Sequence, residues 1–109
     1  MEAKIALAKN IALKELGGGV SRKVLAYHEK LMIVEVRFAQ GAVGSVHTHP
    51  HLQSTYVKCG KFRFTIDGDT VEVGEGDSIA FPENLPHGTL CMEAGVLIDI
   101  FTPMREDFV

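Results

Sequence analysis

From Val20 onward the apolar positions of this chain recur with a period of two. Met32, Val34, Val36 and Phe38 alternate with Ile33, Glu35 and Arg37, the mark of a strand with one buried face. The alternation returns in Thr55–Val57, in Phe62, Phe64 and Ile66, in Val71 and Val73, and in Asp77–Phe81, His87–Met92 and Val96–Thr102. Turn residues cut these runs at about ten-residue spacing. They are Gln40-Gly41, Gly44, Gly60, Asp67-Gly68-Asp69, Gly74-Glu75-Gly76 and the stretch from Pro82 to Pro86. Asp67-Gly68 is a strong hairpin signal. The whole pattern predicts an all-β sandwich or barrel. Residues 1–16 are less clear, because alanine and lysine favour a helix while Ile5 and Leu7 also suit a strand. The expectation is a short strand followed by an irregular stretch, ended by Gly17-Gly18-Gly19.

Composition narrows the function classes. A chain of 109 residues predicts one domain with room for a real core. A formal charge of −3 argues against nucleic acid, which needs a basic surface. No apolar run approaches the roughly 18 residues of a membrane span, and the N-terminus lacks the long apolar core of a signal peptide. Cys59 and Cys91 form neither a disulfide framework nor a C-x-x-C pair. They are expected as reduced thiols in a cytoplasmic protein.

The candidate chemistry gathers in His47-Thr48-His49-Pro50-His51-Leu52-Gln53. On an extended strand His47 and His49 project from one face, with Cα atoms about 6.6 Å apart. Gln53 has the same parity and offers a neutral carbonyl oxygen, and His87 can supply a further ligand from another strand. Together they form a candidate site for one divalent metal. Surface histidines also fall into H-x-H by chance. His51 shares the parity, but Pro50 can break the pleat, so it is read as a support or substrate contact rather than a ligand. His28 reads as an ordinary structural or surface histidine. Asp99 and Phe101 share a strand face, with Ile98 and Ile100 on the other. An aspartate in so apolar a strand needs a polar partner or a cavity. Pairing with Arg37 or Arg105 would also satisfy it, with Arg105 merely capping the C-terminus. Phe38, Phe62, Phe64 and Phe81 read as core, and Cys91 as a small buried hydrophobe.

Two motifs carry a family resemblance. Gly41, His47, His49 and Gly60 fit the cupin signature G-x5-H-x-H-x3-E-x6-G, with Gln53 in the glutamate position. Gly76, Pro82 and His87 fit the second signature, G-x5-P-x-G-x2-H-x3-N, with Asn84 and Cys91 as departures. The resemblance implies a single cupin domain over residues 1–109, a double-stranded β-helix (jelly-roll) barrel. Residues 1–19 would form an extension, 41–60 the first motif and 76–91 the second. A closer likeness lies in His-Thr-His-Pro-His-Leu-Gln53, in Leu16-Gly-Gly-Gly-Val20 and in the ending from Leu97 to Val109. These stretches resemble the KdgF group of pectin- and alginate-degradation cupins, which convert 4,5-unsaturated uronate monomers into open-chain keto sugars. Glutamine in place of the glutamate ligand agrees with that group. The resemblance implies His47, His49, Gln53 and His87 as metal ligands, and Asp99, Phe101 and Arg105 as the catalytic and substrate-binding set. It implies a uronate sugar as substrate and a homodimer as the assembly. Imidazole-rich sites suit nickel, zinc, iron or copper, and manganese is also open. The rival readings are an Fe(II)-dependent dioxygenase and a non-catalytic sugar-binding or sensor cupin.

Overall fold

The computed structural model describes residues 2–109. Its strands are β1 (Lys14–Gly17), β2 (Val20–His28), β3 (Leu31–Phe38), β4 (Val43–His47), β5 (Leu52–Ile66), β6 (Asp69–Gly74), β7 (Ser78–Phe81) and β8 (His87–Thr102). Short 3-10 turns at Ala8–Asn10 and Glu106–Phe108 are the helical pieces among the described residues. None of the helices there is long and apolar enough to cross a membrane.

Two long strands organise the rest. β5 and β8 pair antiparallel along their whole length, from Leu52 opposite Thr102 to Ile66 opposite His87. The first half of β5 and the second half of β8 continue into one sheet, flanked by β7 on one side and by β3, β2 and β1 on the other. The other halves of β5 and β8 continue into a second sheet, flanked by β6 and β4. Each long strand therefore serves both walls of a jelly roll. The bend falls where the β5–β8 register shifts, between Val57 and Phe62. Gly60 lies at φ +87°, and a Cβ there would stand 2.6 Å from the Gly95 Cα. Only a glycine fits that crossing.

The core fills the space between the two walls on both sides of the bend. Phe62, Phe64, Phe81, Cys91, Leu97, Val57 and Phe38 pack there, with Phe38 and Phe62 edge to face at 5.3 Å. Full burial of such a side chain stabilises the fold by about 1.5–3 kcal/mol. A smaller cluster of Met32, Val34 and Phe101 takes Met104 and Phe108 against it. The Met104 N–H donates to the Glu29 carbonyl at 3.1 Å, tying the C-terminal tail to the β2–β3 turn.

Several boundaries differ from those the sequence predicts. The N-terminal order is reversed: irregular backbone comes first and β1 follows at Lys14. Gly17, Gly18 and Gly19 all have positive φ, so they turn the chain back and Lys14 and Glu15 pair with β2. Thr55–Val57 and Phe62–Ile66 are one strand bent at Gly60, and His87–Met92 and Val96–Thr102 are likewise one. Gly44 lies inside β4 rather than in a turn. The Asp67-Gly68 hairpin is present, with φ values of 47° and 89°.

Candidate metal centre

The histidines converge by tertiary folding, not by strand parity. His47 closes β4 and is paired with His87, the first residue of β8. His49 lies in the connection before β5, so the expected continuous strand is absent. Pro50 has no N–H to offer a ladder, and the chain bends there. The Asn84 N–H donates to the His49 carbonyl at 2.8 Å, pinning this connection to the β7–β8 loop. Ring centroids are 4.6 Å apart for His47 and His87, 5.0 Å for His49 and His87, and 5.5 Å for His47 and His49. One nitrogen from each ring lies within 4.8 Å of the others. A point equidistant from such atoms is about 2.8 Å from each, so small side-chain adjustments reach the ~2.1 Å of a metal–imidazole bond.

The hydrogen bonds leave ligand nitrogens available. Nδ1 of His47 faces the Ser45 carbonyl and Nδ1 of His87 faces the Leu85 carbonyl, each at 2.8 Å. A carbonyl can only accept, so both rings carry their proton on Nδ1 and turn the Nε2 lone pair inward. The His87 Nε2 is buried without a partner, as a ligand atom would be. By the same rule His49 donates from Nε2 to Gln53 Oε1 at 2.8 Å, so a metal held by both atoms would displace that proton. Burial lowers the pKa of both His49 and His87, favouring the neutral form that ligates. His47, His49 and His87 could hold a metal ion, and the donor set fits a divalent transition metal.

A polar relay leads from this cluster to Asp99. The Gln53 Nε2 donates to Thr55 Oγ1 at 2.9 Å and to Asp99 Oδ1 at 3.4 Å. The Thr55 hydroxyl donates to the same Oδ1 at 2.7 Å. These bonds orient the amide, leaving its oxygen for the histidines. Asp99 is only partly shielded from solvent as a residue, because it opens into a cavity, yet the barrel surrounds it. Burial outweighs its hydrogen bonds and pushes its carboxyl up to about 6. Neither arginine weighed from the sequence pairs with it. Arg37 bonds Glu35 at 2.9 Å, and Arg105 bonds Asp107 through Nε and Nη2 at 3.1 and 3.0 Å.

The cavity has a volume of about 310 Å³, and His47, Gln53, His87, Asp99, Phe101 and Arg105 line it. His49 stands behind Gln53, its ring 5.7 Å from that of Phe101. His51 lies off the lining, its ring 5.4 Å from that of His49. Arg22 and Phe108 also line the cavity. Sequence reasoning missed both of them and Thr55. Their signals were faint: Thr55 shares parity with Gln53, and Arg22 stands between Val20 and Val24 where alternation expects an apolar residue.

The cupin domain family matches residues 34–101, more than half of the chain. The chain belongs to the cupin family. This cupin is 42% identical over 98 residues to the pectin degradation protein KdgF of Dickeya dadantii (strain 3937), covering 88% of the chain and 89% of that protein. The solved structure of KdgF from Halomonas sp. matches it with a TM-score of 0.94 at 31% identity, covering 99% of this chain and 100% of that one. Oxalate decarboxylase OxdC of Bacillus subtilis (strain 168) is 34% identical over 87 residues, 72% of this cupin but only 23% of the decarboxylase. The likeness to KdgF thus runs nearly end to end in both chains, whereas that to the decarboxylase spans about a quarter of a longer protein.

Proposed function

We propose that this cupin opens and ketonises 4,5-unsaturated uronate monosaccharides from pectin or alginate breakdown, giving linear keto sugars. His47, His49, Gln53 and His87 hold one divalent transition metal. The observation that carries this reading is the meeting of the imidazole cluster with Asp99 and Arg105 around one cavity. Similarity to KdgF supports it. A divalent ion in this site would supply Lewis acidity and a template for the sugar's oxygens.

The reaction is an isomerisation. The hemiacetal hydroxyl loses its proton and the bond from C1 to the ring oxygen breaks, leaving an aldehyde and an enolate. The enolate takes that one proton at C4 and becomes a ketone at C5. Atoms and electrons balance with no oxidant or reductant. Asp99 takes the hydroxyl proton and returns one to carbon. Both bonds it accepts from Thr55 and Gln53 reach Oδ1, so Oδ2 is free for the sugar. Arg105 binds the uronate carboxylate through the edge that Asp107 does not occupy. Phe101, buried beneath, shapes the wall. A cavity of about 310 Å³ is of the size that takes a monosaccharide.

The test is loss of the ultraviolet absorbance of unsaturated galacturonate with and without metal-loaded protein. Faster loss, equally fast without oxygen, is the expected result. Equal rates with and without protein would overturn the reading, and a strict oxygen requirement would favour the dioxygenase.

Assembly is a second proposal. Leu31, Leu52, Tyr56 and Ile100 leave an exposed apolar stripe on the outer face of one sheet, and a homodimer forms through it. Light scattering that gives the mass of a lone chain would contradict this.

A further inference from the structure

The cavity holds a guanidinium that the mechanism above does not use. Arg22 lies on β2 opposite Val36, which also lines the cavity. Its Cζ sits 3.8 Å from the centroid of the Phe108 ring, and the Cζ of Arg105 sits 4.2 Å from the same centroid. Stacking on a ring uses the face of a guanidinium and leaves its N–H edges free. Arg105 has committed one such edge to Asp107. Arg22 has no ion-pair partner among the described residues. Burial lowers its pKa, but an arginine keeps its charge regardless. Asp99 acts on Arg105 across the cavity, whereas the carboxylate that acts on Arg22 is Asp107, which is largely exposed with its bonds on Arg105. A partly buried cation without a partner is costly, and an arriving anion relieves that cost.

We propose that Arg22 is a second anion-binding residue of this cavity, holding the substrate's carboxylate together with the free edge of Arg105. The proposal rests on the uronate reading. It also makes a separate statement, that the site selects acidic sugars over neutral ones of the same shape. Phe108 is the spacer on which the two forks stack. The alternative is that Arg22 only clamps Phe108 and with it the tail.

Binding and turnover separate these accounts. Metal-loaded wild type, Arg22→Gln and Arg22→Lys are titrated calorimetrically with galacturonate and with its methyl ester, neither of which can ketonise. Kinetics on unsaturated galacturonate run in parallel. The proposal predicts that wild type prefers the acid to the ester, and that Arg22→Gln weakens the acid by about 10- to 100-fold. The ester should change by less than about twofold, and Arg22→Lys should fall between. Equal weakening of acid and ester would show a clamp and overturn the proposal. So would an unchanged acid-to-ester ratio, or no preference in wild type. If Arg22→Gln fails to fold, the same ratio in Arg22→Lys decides, with a melting curve as control. If wild type prefers the acid yet never turns over the unsaturated sugar, the ketonising reading falls and the binding ratio still judges Arg22.

Discussion

The inward face of β5 changes character at its bend. Before it, Gln53 and Thr55 are buried polar side chains, 8% and 1% exposed; after it, Phe62 and Phe64 are 0% and 3% exposed. Strand, inward face and pairing partner are the same on both sides. Beyond the bend, aromatic packing fills the space, and each ring touches others of its kind. Before the bend the polar atoms bond to one another and to Asp99, and the relay reaches His49 Nε2 through Gln53 Oε1. Buried polar groups are normally satisfied. The difference separates a half of the strand that packs the barrel from a half that turns its polar groups towards histidines that could hold a metal ion.

The largest expected effect strikes the polar half. Asp99→Asn keeps the shape but cannot exchange a proton, so kcat should fall by about 10²–10⁴ while metal content holds. Near-normal turnover would leave Asp99 a structural role only. Phe62→Ala tests the other half. It should cost about 3–5 kcal/mol in denaturant unfolding and leave metal affinity unchanged in the folded fraction. A loss of metal there would mean that the halves are not independent.

The pH dependence of stability sharpens the contrast. The carboxyl of Asp99 is raised from 3.8 to about 6 on folding, so the folded state favours its protonated form. The stabilisation is fully present below the unfolded pKa and is lost as pH rises through about 6. Metal-free wild type should therefore lose up to about 3 kcal/mol relative to Asp99→Asn between pH 4 and pH 7. His49 and His87, with lowered values, act in the opposite sense and lose stability as pH falls. Comparing the two proteins at each pH cancels their share. A flat difference would show that Asp99 is not held apart from water. The smallest effect belongs to Thr55→Val, which keeps the shape and removes the hydroxyl that joins Gln53 to Asp99. It should cost about 1–2 kcal/mol and weaken metal binding by about 10-fold. Unchanged metal affinity would remove Thr55 from the support of the site.

The fold was largely legible in the chain because alternation and turn residues act locally. Asp67 and Gly68 both take the positive φ that their two-residue hairpin turn needs. What alternation could not reveal is that Gly60 bends a strand rather than ending it, since that depends on the close approach of Gly95. The candidate ligands could be named from their spacing and the family resemblance, but their convergence comes from the β4–β5 connection and the His47–His87 pairing. Thr55 stayed hidden because threonine is an ordinary strand residue. Arg22 stayed hidden because a single arginine on a half-buried face usually carries its charge out to solvent.

The central claim is that His47, His49, Gln53 and His87 form one metal site at the polar end of the barrel. Elemental analysis of purified wild type and His49→Ala, loaded and desalted in parallel, tests it most directly. About one divalent ion per chain is predicted in wild type and almost none in the variant, with chelation lowering the melting temperature of wild type alone. Equal metal content in the two proteins would contradict the claim.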